Sequence, residues 1–177
     1  MIILPKRLND MLSEVDEARR ATLALDFAER AIGIQAEGIH PKLLGACREY
    51  IGAAREALEL GRAHGRLVEA HEQLVQVSWD FAEKSLSTNI VSLAVALGCQ
   101  RMMEEVGALH RASRRARLDC QFVAQQAQLD IAAWYSRHAP DGADSRQVHQ
   151  AARWEEARWQ LLHVISTEPN PSVDQAS

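Results

Sequence analysis

Histidine and acidic side chains are the residues with which this chain could bind a metal, and their spacing argues against it. The seven histidines include a single Glu-x-x-His pair, Glu37 and His40, which is the spacing of ligands in di-iron helical bundles. Such a site needs two pairs, and this pair encloses a glycine and precedes a proline, which together predict a turn. His64 and His71 could share a helix face, but they lie two turns apart, too far to bind one ion without other ligands. We therefore expect no metal and no cofactor.

Nucleophilic side chains also lack a catalytic setting. The cysteines Cys47, Cys99 and Cys120 form an odd, widely spaced set, which is a poor framework for disulfides or zinc. Each falls in an apolar helical stretch, where a free thiol packs as a small hydrophobe and is unreactive. No serine occupies a Gly-x-Ser-x-Gly turn, and no glycine-rich phosphate loop is present. We predict a non-enzymatic protein, and buried reduced cysteines without a signal peptide predict a cytoplasmic one.

The sharpest local feature is a basic cluster formed by Arg111, Arg114, Arg115 and Arg117. The favoured interpretation is a solvated helix face, which such charge runs usually form. The second hypothesis is a docking patch for an acidic protein partner. Nucleic acid ranks third, because no aromatic residues interleave with the arginines to stack on bases and the whole chain has a net charge of -4.

Aromatic side chains concentrate in the last third of the chain. Trp154 and Trp159 are five positions apart, so they point in different directions on a helix. An exposed tryptophan is a common anchor of protein interfaces, whereas a buried one fills the gap between helices. We predict that at least one of the two is partly exposed, and that both join the basic cluster in a partner-binding patch.

Helical periodicity predicts the elements that position these residues. Strand-like alternation is absent. Hydrophobic residues make up 47% of the chain but aromatic residues only 5%, so alanine and leucine must build most of the core. Such small side chains let helices approach closely. The predicted helices span about 8–17, 18–35, 41–60, 66–85, 89–110, 113–138 and 145–166.

The fold class predicted from this pattern is all-α. Short turns between successive helices favour antiparallel neighbours, so we expect one antiparallel bundle of about six to seven helices over residues 1–166. Residues 167–177 contain two prolines and little that can pack, which predicts a disordered tail. The longest uncharged run, residues 85–100, is too short and too rich in hydroxyl side chains to span a membrane.

Three stretches carry a family resemblance. Residues 24–32 have the sequence Ala-Leu-Asp-Phe-Ala-Glu-Arg-Ala-Ile, His40 and Pro41 precede a helix with Ala-Ala-Arg-Glu-Ala at 53–57, and residues 155–162 are Glu-Glu-Ala-Arg-Trp-Gln-Leu-Leu. Together, over about residues 20–165, they resemble the alanine-rich helical immunity proteins of bacterial polymorphic toxin systems. The family's Thr-Ala-His motif is replaced here by Val-Ala-Gln-Gln-Ala at 123–127. The resemblance implies a cytoplasmic bacterial protein that binds a toxin, and it supplies no catalytic residues.

The leading hypothesis is thus a protein-binding module that neutralises a toxin by occlusion. One alternative is a ligand-binding bundle or enzyme, with a pocket lined by Met102, Met103, Trp134 or a histidine. Another is a self-associating structural or regulatory module. It would form a homo-oligomer through the aromatic-rich last helix, and the substitution Trp159→Ala would abolish the dimer.

Overall fold

The computed structural model of the protein describes residues 4–80, 86–109 and 118–167, apart from the side chains of residues 86 and 87. Its seven α-helices, interrupted by one 3-10 turn (Ala36–Gly38), are α1 (Leu4–Glu14), α2 (Glu17–Ile34), α3 (Pro41–Leu60), α4 (Gly65–Asp80), α5 (Leu86–Glu105), α6 (Cys120–Arg137) and α7 (Ser145–Thr167). No strand occurs in these ranges. The predicted all-α helical bundle is confirmed. The basic cluster and residues 168–177 lie outside the described residues.

Capping side chains explain several helix boundaries. The Asp16 carboxylate accepts a hydrogen bond from the Arg19 backbone N–H at 3.1 Å, which fixes the start of α2. Pro41 is the first residue of α3, as predicted, because its missing N–H costs nothing in a first turn. Gly61 ends α3 in the left-handed conformation, with φ of 65°.

Several predicted boundaries are wrong. Helix α1 begins four residues earlier than expected and ends at Glu14, because the backbone leaves the helical conformation before Asp16, which caps α2. Helix α5 runs from Leu86 to Glu105 rather than from residue 89 to residue 110. Helix α6 begins at Cys120 rather than at residue 113, since the Asp119 carboxylate caps it through the Phe122 N–H at 2.7 Å.

Helix α2 is the central element of the bundle, packed against α3, α5 and α6, and α7 packs mainly against α6. The alanine-rich core permits close approach. A Cβ added at Gly98 of α5 would lie 2.9 Å from the Ala21 Cβ and 2.9 Å from a Leu58 methyl group. Because α5 and α6 cover the apolar sides of α2, a more polar side of α2 is left facing α7.

A buried amide pair fixes how α7 lies on α6. The Gln128 side chain donates to the Gln160 Oε1 at 2.8 Å, and Gln160 in turn donates to the Ala124 carbonyl at 3.1 Å. Both glutamines are buried, so each bond satisfies groups that would otherwise be costly in the core. This contact sets which residues of α7 face α2.

Candidate partner-binding groove between α2 and α7

The polar side of α2 and the adjoining side of α7 form an open groove of about 450 Å³. Its α2 residues recur at spacings of three and four, which places them on one helix face. The residues that line it are Asp26, Glu29, Arg30, Gly33, Ile34, Trp159 and His163. We call it the α2–α7 groove.

Arg30 bridges the two helices inside the groove. Its Nε lies 2.8 Å from the Glu156 Oε2, and its guanidinium carbon lies 4.2 Å from the centre of the Trp159 ring. The Arg30 side chain is 34% exposed, whereas that of Glu156 is 1% exposed. Within the described part of the chain, no hydrogen bond engages the two terminal nitrogens of Arg30, so they can bind an incoming anion.

A second set of charges lies along the other half of the groove. The Asp26 carboxylate lies 2.8 Å from the His163 Nε2 and 2.8 Å from an Arg55 Nη. Arg55 also pairs with Glu29 at 2.7 Å. These contacts tie α2, α3 and α7 together and leave Glu29, with 58% of its side chain exposed, at the rim.

The aromatic side of the groove is rigid. The Trp159 and His163 rings stack, with centroids 4.8 Å apart and planes 11° apart. Phe27 lies beneath them and meets both rings edge to face. A tryptophan held in one orientation loses little conformational entropy when a partner binds to it.

Glu156, which pairs with Arg30 behind the groove, is a nearly fully buried carboxylate. Burial raises its pKa, and the guanidinium of Arg30 and the nearby Gln160 amide oppose that rise without cancelling it. Its second oxygen, Oε1, is buried and accepts no hydrogen bond from the described residues. Arg30 therefore stabilises the charged form of Glu156 against the effect of burial.

The two predicted tryptophans do point in different directions. Trp159 is partly buried in the α2–α7 groove, and Trp154 is 44% exposed on the outer side of α7. Arg111, Arg114, Arg115 and Arg117 fall between α5 and α6, outside the described residues, so the structure does not locate them relative to the tryptophans.

The remaining candidate residues are the cysteines and the possible metal ligands. All three cysteines are buried and free, and burial raises the pKa of Cys47 and Cys120 to about 12 and that of Cys99 to about 11. In the three described ranges, no group of three or more histidine, cysteine or acidic residues could hold a metal ion.

The side chains suggested for an internal pocket lie in different surroundings. Met103 is buried and accepts a hydrogen bond from the Tyr50 hydroxyl, which also lies 3.1 Å from His71. Met102 lines a groove beside α5. Trp134 packs over Gly38 at the 3-10 turn.

The charged residues of the groove were not predicted from the sequence. Arg30 and Glu156 are 126 positions apart, and nothing local marks them as partners. The available signal was the presence of Asp26 and Arg30, one turn apart, between the apolar residues of the second half of α2. Such an i, i+4 pair normally indicates a solvated face, and here it faces another helix.

Comparisons with protein families, curated proteins and solved structures return no match to this chain. Of the helices that the structure describes, none is both long and apolar enough to cross a membrane.

Proposed function

We propose that this chain is a non-enzymatic protein-binding module that protects its producer by occluding a toxin, and that the α2–α7 groove binds the partner. The observation that carries the proposal is the Arg30–Trp159 pair. Tryptophan and arginine are the residues most enriched at interface hot spots, and here each holds the other in place at 4.2 Å. The pair lies in a groove open to solvent, with hydrogen-bond donors left for a partner carboxylate.

The immunity role rests on the family resemblance, and the geometry of the groove supports it. Two of the three stretches that carry the resemblance, residues 24–32 and 155–162, supply most of the groove's side chains. They meet through Arg30 with Glu156 and Trp159. The role also places the protein in the cytoplasm, which suits its three buried free cysteines.

A steric variant tests the groove without disturbing the fold. A Cβ added at Gly33 meets nothing within 4 Å, so Gly33→Phe fills the groove from the α2 side. Gly45 on α3 has the same open surroundings away from the groove, which makes Gly45→Phe a matched control for the loss of a helical glycine. Glu29→Lys adds a test of charge at the exposed rim.

The experiment is co-expression of each variant with the toxin encoded beside the gene, scored by cell growth and by co-purification of the complex. We expect the wild type and Gly45→Phe to protect cells and to co-purify with the toxin, and Gly33→Phe to fail in both. Equal protection by Gly33→Phe would exclude the groove as the binding site. A wild-type chain that neither binds nor neutralises any neighbouring toxin would overturn the immunity role itself.

A further inference from the structure

We infer that the outer face of α7 pairs antiparallel with the same face of a second copy of this chain. The face consists of six residues spaced alternately three and four apart, and we call it the α7 seam. Its residues are Val148, Ala151, Glu155, Arg158, Leu162 and Ile165. It shares no side chain with the α2–α7 groove, so the inference stands apart from the proposed function.

The α7 seam lies on the side of α7 opposite the residues that pack in the core. The residues of α7 that are buried against the core are Glu156, Ala157, Gln160 and Val164. At 100° per residue, the seam lies on the opposite side of the helix from them. Leu162 is 53% exposed and Ile165 is 55% exposed, although a helix in contact only with water would carry polar side chains there. Val148 is half-buried and, with Ala151 and Glu155, borders an open groove that α7 forms with α2 and α6. The C-terminal half of the seam is covered by no other helix of the described residues, and the N-terminal half is open to solvent through that groove.

The spacing of the α7 seam is that of a helix-pairing face. Alternate steps of three and four residues are the a and d positions of a heptad, which stay in contact with a partner helix along its length. Val148, Glu155 and Leu162 take one position, and Ala151, Arg158 and Ile165 take the other. The seam covers about 26 Å of helix at about 1.5 Å per residue.

A second copy is the partner that this pattern fits, because the seam is complementary to itself. In an antiparallel pair, a positions of one helix face d positions of the other. With a two-fold axis between residues 156 and 157, Val148 faces Ile165 of the second copy and Ala151 faces Leu162 of the second copy. We call each pair of facing residues a layer. Each of these apolar layers pairs a smaller side chain with a larger one, which close packing needs.

Charge fixes the register at the centre of the seam. The same axis places Glu155 opposite Arg158 of the second copy, and the symmetry makes this ion pair twice. In the single chain the two side chains already lie 3.5 Å apart and are 66% and 60% exposed. Parallel pairing would instead place Glu155 against Glu155, which like-charge repulsion disfavours. Trp154, 44% exposed, flanks the apolar layers.

The small size of the seam limits the affinity that we expect for the dimer. One pair of helices with four apolar and two ionic layers buries less than the roughly 800 Å² per partner of a standard interface, so we expect a dissociation constant on the order of 10 to 100 μM. The dimer is therefore visible only in concentrated protein.

The test is sedimentation equilibrium of the full chain between about 5 and 500 μM, a range that spans the expected dissociation constant. Arg158→Glu and Glu155→Arg each place like charges in both central layers, so each single variant should weaken the dimer at least about tenfold. An equimolar mixture of the two variants restores opposite charges in both layers and should form a heterodimer of wild-type strength. The double variant Glu155→Arg/Arg158→Glu should also recover self-association.

A matched control keeps the test specific. Arg101 is 91% exposed and pairs with Glu105 on α5, so Arg101→Glu makes the same charge change away from the seam and should leave the dimer unchanged. A wild-type chain that stays monomeric throughout the range overturns the inference. So does a dimer that Arg158→Glu leaves intact, since that dimer must use another surface. Circular dichroism confirms that each variant is folded.

Discussion

The guanidinium carbon of Arg30 lies 4.2 Å from the centre of the Trp159 ring, while the Nε of the same arginine holds the buried carboxylate of Glu156 at 2.8 Å. One side chain of α2 thus makes two contacts with α7, one with an aromatic ring and one with a carboxylate. The ring limits where the guanidinium can move, and the guanidinium opposes the rise that burial causes in the pKa of Glu156. Stability and the shape of the groove are therefore coupled through Arg30.

Removal of Arg30 should destabilise the protein in a pH-dependent way. Arg30→Ala leaves the almost fully buried Glu156 without its ion-pair partner, which costs about 2 kcal/mol of unfolding free energy at pH 7 after allowance for the partial exposure of Arg30. Since the pKa of Glu156 is already raised by burial, loss of the cation should raise it further, and stability should fall as the pH rises through that value. Urea unfolding at pH 4.5 and pH 7 measures both effects.

The matched second change is Arg30→Ala/Glu156→Gln. It removes the buried charge as well, so we expect it to recover most of the lost stability at pH 7 and to lose the extra pH dependence. An equal loss of stability in the single and double variants would show that packing on Trp159, rather than charge, is the main contribution of Arg30.

Asp130 should make the protein less stable as the pH rises. It is buried on α6, and burial raises its pKa from 3.8 to about 6, with the charge of Arg137 opposing part of the rise. The folded state therefore binds a proton more tightly than the unfolded state, so this residue's contribution to stability declines between about pH 4 and pH 6 and then stays level. The decline should amount to about 2 to 3 kcal/mol.

The Asp130→Asn variant isolates that contribution. The difference in unfolding free energy between wild type and variant, measured from pH 3.5 to pH 7.5, should change over this window and be flat outside it. The other ionisable groups titrate in both proteins and cancel from the difference. A flat difference across the whole range would mean that Asp130 has a normal pKa.

The cysteines should be unreactive until the protein unfolds. All three are buried, and their raised pKa values leave little thiolate at pH 8. We expect a colorimetric thiol reagent to label fewer than about one thiol per native chain, and all three cysteines in concentrated guanidinium chloride. Rapid labelling of one cysteine in the native protein would place that cysteine in a region that opens locally.

Most of the architecture could be predicted from the sequence, because helix formation is a local property. The 3.6-residue periodicity predicts the helices, and the apolar setting of Cys47 and Cys99 correctly predicts their burial. Boundaries were predicted less well. The capping residues Asp16 and Asp119 decide where α2 and α6 begin, and periodicity alone does not locate them.

The groove could not be predicted in the same way. Its contacts join residues that are far apart in sequence, such as Asp26 with His163, 137 positions apart. Periodicity predicts which side of α2 is polar but not which helix that side meets. The spacing of Trp154 and Trp159 predicted that they diverge, yet only the packing of α7 shows which of them lies against Arg30.

Gly38 should be required for the packing of Trp134. A Cβ added at Gly38 would lie 2.2 Å from two atoms of the indole ring, which real contacts do not allow. The ring also contacts His138, with centroids 3.7 Å apart and planes 35° apart, so a shift of the ring would disturb this contact as well. Gly38→Ala should therefore cost about 1 to 3 kcal/mol, the usual range for overpacking, measured by chemical unfolding. In a Trp134→Leu background the same substitution should cost much less, whereas an equal cost in both backgrounds would assign the effect to the backbone of the 3-10 turn instead of to the ring.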